Sequence, residues 1–391
     1  MKKLCLLSFL LSFSTFAKIS HVRVLFHTDP AHEATVAFTQ DGKKNEPVQI
    51  YVSEKPGTCS FEQKNIKVLD INRLYAKEKD HWLHASNLTG LKPGTKYYFC
   101  LKNGAEKSPE YNFVTTPSDN KTPIFLLFGG DSRSDRDDRI KMNKSIHDQF
   151  EKNPNIYALV HGGDMVWSGK KYDEFSEWMD DHLLTATSEG RLLPLIVTQG
   201  NHEEGADLFN DIFVLEGSLS EVYYMTKIAN AAIYNLNSNL SAGGDQLKWL
   251  EESLKKTSSE TKWIFANYHR PAYPAVKSPG PAKKFWVPVF EKYQFDLIFE
   301  SDGHVLKKTV PIYEDKLDME KGIIYVGEGG LGVKLRTPDQ NLWYLRSPGF
   351  AESLHHYYQL EISQNMVKVD VLKMDNTSFN TFNLYPRVRP L

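Results

Sequence analysis

The chain has 391 residues, of which 41% are hydrophobic and 25% charged, ordinary usage for a folded globular protein. This excludes a disordered, collagen-like or multi-span membrane protein, and the length suggests two or three domains. A formal charge of −2 leaves no electrostatic footprint for nucleic acid or an anionic membrane, so neither is expected as a partner.

Residues 1–17 read as a signal peptide. Lys2 and Lys3 supply a short positive region, Leu4 to Phe16 an almost unbroken apolar run, and Ala17 the small residue before a cleavage point. The run is too short to anchor the chain across a bilayer, so a periplasmic or secreted location is expected. Cys5 would leave with the signal. Cys59 and Cys100 remain, and in an oxidising compartment a disulfide between them is favoured over two buried thiols.

Residues 18–117 read as an all-β sandwich. The runs HVRVLFH, ATVAFTQ, VQIYVS, HWLHAS, KYYFCLK and YNFVTT are short, rich in β-branched and aromatic residues, and separated by Gly, Pro, Asn or Asp. The turn GLKPGTKYYF, Gly90 to Phe99, resembles the corner of a fibronectin type III sandwich, where a Tyr (here Tyr97 or Tyr98) pins the loop before a strand. Nothing in this segment gathers catalytic side chains, which gives it a supporting role. PSDNKT at 117–122 reads as a linker.

From 123 to 391 the pattern becomes α/β. PIFLLFGGD ends at Asp131, YALVHGGD at Asp164, and LPLIVTQGNH at Asn201 and His202; WIFANYHRP carries His269, and FDLIFESDGH carries Asp302 and His304. Helix-like segments such as DQFEKNP and GGDQLKWLEESLKK lie between them, which predicts strands of a sheet covered on both faces. Ligands bind beyond the carboxyl ends of such strands. One Asp after a buried strand is usually a helix cap, but five strand ends finishing in oxygen or imidazole groups form a set that chance rarely places on one edge. GIIYVGEGG brings only Glu328 and glycines and reads as a close-packing turn; YYQLEIS and VKVDVLKM read as edge strands.

Carboxylates, one amide and several imidazoles, with no thiolate, suit hard or borderline divalent ions. Two such ions need a shared anionic bridge, and together they can clamp the attacking and leaving oxygens of a phosphoryl centre.

The series GD at Asp131, GGD at Asp164, GNHE at Gly200 to Glu203, HRP at His269, then an Asp/His pair before KKTVP resembles the calcineurin-like metallophosphoesterases. With its fibronectin-like front, the chain looks most like their purple acid phosphatase branch. That resemblance implies a metallophosphatase sandwich of mixed sheets flanked by helices. It also implies two divalent or trivalent ions (Fe, Mn or Zn), a small phosphate-ester substrate, and monoester hydrolysis by a metal-activated hydroxide. Asp131 would bind the first metal, Asp164 would bridge both, and Asn201 and His269 would bind the second. His202 would contact substrate or protonate the leaving alkoxide.

The last motif departs from the family's Gly-His-x-His. DLIF and KKTVP align without a gap when His304 is the second His, which puts Asp302 in the place of the first; Asp302 is then assigned to the second metal and His304 to the first. The family's purple members carry a Tyr where this chain has Trp167, and others a His where it has Arg133, so no Fe(III)–tyrosinate chromophore is expected. Asp135 is a candidate replacement ligand, and Arg133 reads equally as a phosphate-holding residue or a solvated charge. Trp167 is expected as core or pocket wall, His161, His355 and His356 as packing residues. Two competing readings stay open: a phosphodiesterase or nucleotidase of the same fold, and a non-catalytic binding protein with an eroded first metal site.

Overall fold

The computed structural model describes residues 18–389 apart from 43–44, 61–66, 71–73, 79, 105, 120, 206 and 218–219. The expected signal peptide lies outside the described residues.

The front segment forms the two layers that its short alternating runs predict. Strands Lys18–Leu25, Glu33–Asp41, His81–Thr89 and Leu74–Glu78 make one layer; Gln49–Ser53, Lys67–Asp70, Lys96–Asn103, Glu106–Lys107 and Tyr111–Val114 make the other. Val36 and Phe38 of the first layer and Ile50, Phe99 and Phe113 of the second are buried in the core. The expected corner is present and uses Tyr97, whose hydroxyl accepts the Lys92 backbone N–H at 2.8 Å. Cys59 and Cys100 are bridged, with Cα atoms 5.4 Å apart.

Behind this lies a sandwich of two mixed sheets, so the strand ends converge from two stacked sheets and not along one edge as the sequence pattern suggested. The first places Ile124–Gly129, Ile156–His161 and Leu195–Val197 side by side in parallel, flanked by the antiparallel strands His356–Ile362, Val367–Lys373 and Ser378–Leu384. His356–Ile362 is therefore an inner strand, and the true edge is Ser378–Leu384, whose exposed, weakly alternating pattern hid it. The second sheet runs Tyr224–Ile228, Ala231–Asn235, Trp263–Asn267, Leu297–Glu300, Ile324–Gly327, Leu306–Lys308, Phe350–Glu352.

Side chains alternate across a strand with a period of two, and this divides the second sheet's residues between two cores. Ile233, Phe265, Leu297, Phe299 and Val326 pack toward the first sheet, where Phe299 stacks on Phe128 with ring centroids 3.7 Å apart. Tyr234, Ile264, Ala266, Ile298 and Tyr325 face the other way, against Leu250 and Leu254 of helix Asp245–Glu260. Helix Arg136–Lys152 buries Met142, Ile146 and Phe150 in the first core.

The two halves share one sheet. Strand Lys18–Leu25 lies parallel to Leu195–Val197, with Leu25 opposite Leu195 and the Phe26 N–H donating to Leu195 O at 2.9 Å, so the front layer extends the first sheet to ten strands among the described residues. No helix among those residues is long and apolar enough to cross a membrane.

Candidate metal centre

The candidate donors sit where strands stop and the chain turns sharply. Asp131, Asp164, Asp302 and His304 all have positive φ, between 54° and 71°. Such backbone is costly for residues with a Cβ and persists where the surroundings impose it, often at functional sites. Two glycines make room. Gly163 at φ 92° brings the loop before Asp164 against Gln199 and Gly200, and Gly329 at φ 84° lies so close to Asp131 that a Cβ would overlap its carboxylate.

Two buried groups result. Asp131, Asp164 and His304 offer ligand atoms within 4.8 Å of one another, and so do Asp164, His269 and Asp302. Asp164 belongs to both. Its Oδ1 lies 3.3 Å from His269 Nε2, while Oδ2 faces the first group. Asn201 joins the second group, its Oδ1 3.2 Å from His269 Nε2. His269 Nε2 is 3.6 Å from Asp302 Oδ1, and His304 Nε2 is 3.3 Å from Asp131 Oδ1. Asp302 thus stands with His269, and His304 with Asp131, as the gap-free register required. Tautomers follow from the opposite ring nitrogens: His269 Nδ1 donates to Gly162 O at 2.9 Å and His304 Nδ1 to Lys334 O at 3.1 Å, which turns each Nε2 inward.

The electrostatics are those of anions gathered out of water. Burial alone would raise the Asp164 carboxyl, but His269 and then His202 outweigh it and hold it far below the usual carboxylate range. Burial likewise disfavours charge on His269, yet Asp164, Asp302 and Asp131 keep its proton on well above the ordinary imidazole value. Asp302 is pulled down against burial by His269 and Lys277. One oxygen of the cluster stays unanswered: Asp131 Oδ1 is buried without a hydrogen-bond donor among the described residues, while Oδ2 accepts the Asp302 N–H at 2.9 Å. Three carboxylates, two imidazoles and an amide around an unanswered buried oxygen fit a cation.

His202 stands at the mouth. Its Nδ1 donates to Trp167 O at 2.7 Å, leaving Nε2 facing inward, 3.8 Å from Asp164 Oδ2. Arg133 is not solvated: its side chain, 6% exposed, donates from Nε to Asp164 Oδ2 at 3.0 Å and from Nη2 toward His304 Nε2 at 3.3 Å. Trp167 is not core but 57% exposed, with Arg133 stacked 4.6 Å above its ring and the His202 ring 5.0 Å away.

Asp135 lies in neither donor group. It caps helix Arg136–Lys152, accepting the Asp138 N–H. His161 is buried, its pKa lowered to about 3 by desolvation, and holds the turn through Ser132 and the Gly163 N–H. His355 and His356 bond to Gly330 O and Leu354 O, away from both groups.

Sequence reasoning missed three supports. Glu203, quoted only as the end of a motif, is fully buried and accepts four backbone N–H groups, those of Asp164, Met165, Val166 and Gly200, at 2.8–3.1 Å. Lys277 reaches Asp302 Oδ1 at 2.5 Å. Glu328, expected in a mere packing turn, joins Glu300 around buried Lys307 and accepts the Ala275 N–H, bracing the loop after His269. A motif's last acid and a lone Lys carry no periodic signal, so only the fold could assign them.

This arrangement defines the class of protein. Residues 129–306 match the calcineurin-like phosphoesterase family, so the chain carries a domain of that family. Residues 19–115 match the purple acid phosphatase N-terminal domain, and the chain is homologous to plant purple acid phosphatases. Probable purple acid phosphatase 20 of Arabidopsis thaliana is 27% identical over 292 residues, covering 66% of this chain and 64% of that protein, so the match spans less than two thirds of the curated relative. Purple acid phosphatase PPD1 from yellow lupin superposes with a TM-score of 0.81 at 16% identity, over 94% of this chain and 74% of that one. GAP50, described as the anchor in the inner membrane complex of Plasmodium, shares the fold with a TM-score of 0.55 at 13% identity, over 69% of this chain and 90% of that one.

Proposed function

We propose that this chain is an exported, metal-dependent phosphoesterase that hydrolyses small phosphate monoesters. The observation that carries the reading is Asp164, shared by two buried donor groups at the ends of strands from two sheets. Cations bound there would polarise phosphoryl oxygens and activate water. Asp131 and His304 would hold one, Asn201, His269 and Asp302 the other, with Asp164 between them. His202 Nε2, once protonated, is aimed to donate to the departing alcohol, a contribution of about 10²–10⁴-fold. Relatives named as purple acid phosphatases support the monoester class, and the Cys59–Cys100 bridge supports export to a periplasmic or secreted location.

Asp164→Ala tests this. Elemental analysis should find the variant stripped of metal, and hydrolysis of an aryl phosphate should cease; retained turnover would refute the mechanism. Rates on paired mono- and diester aryl phosphates decide against, or for, a phosphodiesterase or nucleotidase. The non-catalytic reading draws on Arg133, which covers two donors of the first group; fewer than one ion per chain with no hydrolysis would establish it.

A further inference from the structure

The two donor groups are answered by different internal cations. In the second, Lys277 touches one donor, Asp302, from a side chain that is 39% exposed at the rim and free to swing into water. In the first, the Arg133 guanidinium is buried and lies across two of three donors, Asp164 Oδ2 and His304 Nε2. The inward lone pair of His304, created by the bond from Nδ1 to Lys334 O, is the one an ion would use. Trp167 roofs the guanidinium and is itself braced through its carbonyl by His202. Among the described residues, Asp131 Oδ1 alone in the group has no hydrogen-bond donor.

We infer that Arg133 is a tethered competitor of the first metal ion: its guanidinium holds two of that ion's three donors, so the first position binds metal far more weakly than the second. This rests on the phosphoesterase reading and adds to it an unequal centre. One position is filled first; the other is won only when Arg133 withdraws along the face of Trp167. A fixed planar cation with several N–H groups suits this exchange, because on leaving Asp164 it can turn its fork to an anionic oxygen at the mouth.

The test is calorimetric titration of the metal-stripped full chain with Mn²⁺ alone. The wild type should show one tight event and a second weaker by about tenfold or more, a size set by what groups touching a metal ligand contribute. Asp302→Ala should abolish the tight event and His304→Ala only the weak one. Arg133→Met should tighten the weak event until the two merge. Trp167→Ala, exposed and touching no donor oxygen, should move it the same way by less, which keeps the test open if Arg133→Met folds poorly. A wild type that takes one Mn²⁺ while Arg133→Met takes two supports the inference equally. Superimposable titrations of wild type, Arg133→Met and Trp167→Ala, each with two ions, overturn it and leave the phosphoesterase reading intact. Absence of Mn²⁺ binding by every variant overturns both.

Discussion

The front sandwich and the rear domain both hang loops from buried strands, yet they fasten them by different chemistry. In front the buried fasteners are neutral or covalent, the Tyr97 hydroxyl under the Lys92 N–H and the Cys59–Cys100 bridge, and the one carboxylate beside them, Glu110 on the Gly57 N–H, is only half-buried. Behind, the loops are pinned by ionisable groups out of water: Glu203 under four N–H groups, and Lys307 between Glu300 and Glu328. Buried charge is a poor source of stability, since desolvation offsets most of its attraction. Its presence behind and its absence from the front corner mark which loops must hold a strained shape for chemistry and which need only stay folded.

Breaking a rear fastener should have the larger effect. Glu203→Ala orphans four backbone donors at about 1–3 kcal/mol each before relaxation and water entry, so a net loss of about 3–5 kcal/mol is expected in denaturant unfolding. Metal affinity should fall with it by about 10–100-fold, since the Asp164 turn loses its support. Glu203→Gln should recover part of both.

The front counterpart is the double variant Cys59→Ser/Cys100→Ser. The bridge spans 41 residues, and on the chain-entropy account its loss costs about 3–4 kcal/mol. Stability should drop while metal affinity stays as it was; a parallel drop in affinity would erase the contrast between the regions.

The smallest effect is one of pH. Burial raises Glu328 from 4.5 to about 7, against the pull of Lys307. Between those values the folded chain holds a proton that the unfolded chain has released, so stability from this group is complete below 4.5 and lost as pH rises through about 7. Buried histidines such as His182, lowered to about 4, work in the opposite sense, so the informative quantity is the difference between wild type and Glu328→Gln. The wild-type unfolding midpoint should fall steadily relative to that of Glu328→Gln from pH 4.5 to about 7, and a pH-independent difference would remove Glu328 from the account.

Much of the centre could be read from the chain because donors at strand ends leave two signals, an apolar run and the polar residue that stops it. Asp131, Asp164, Asn201, His269, Asp302 and His304 all lie where those signals put them, though the runs could not say that they belong to two sheets. A buried strand reads alike in either layer, because only tertiary packing decides which face meets which. Arg133 and Trp167 were visible as departures from a pattern, but not their stacking on each other, which needs a turn at Asp131 with φ 56°. Tyr97 and Tyr98 were equivalent in sequence and are separated by one hydrogen bond.

The parallel pairing of Leu25 with Leu195 has a consequence for how the molecule can be cut. Leu195–Val197 runs directly into the turn that presents Asn201 and His202, and its outer side is covered by the amino-terminal half. A fragment beginning at the linker would bare the outer backbone groups of this strand, Leu195 O among them, a few residues from Asn201, an invitation to intermolecular pairing. The rear half is therefore expected to depend on the front one, whose first strand is the neighbour of the strand that leads to Asn201.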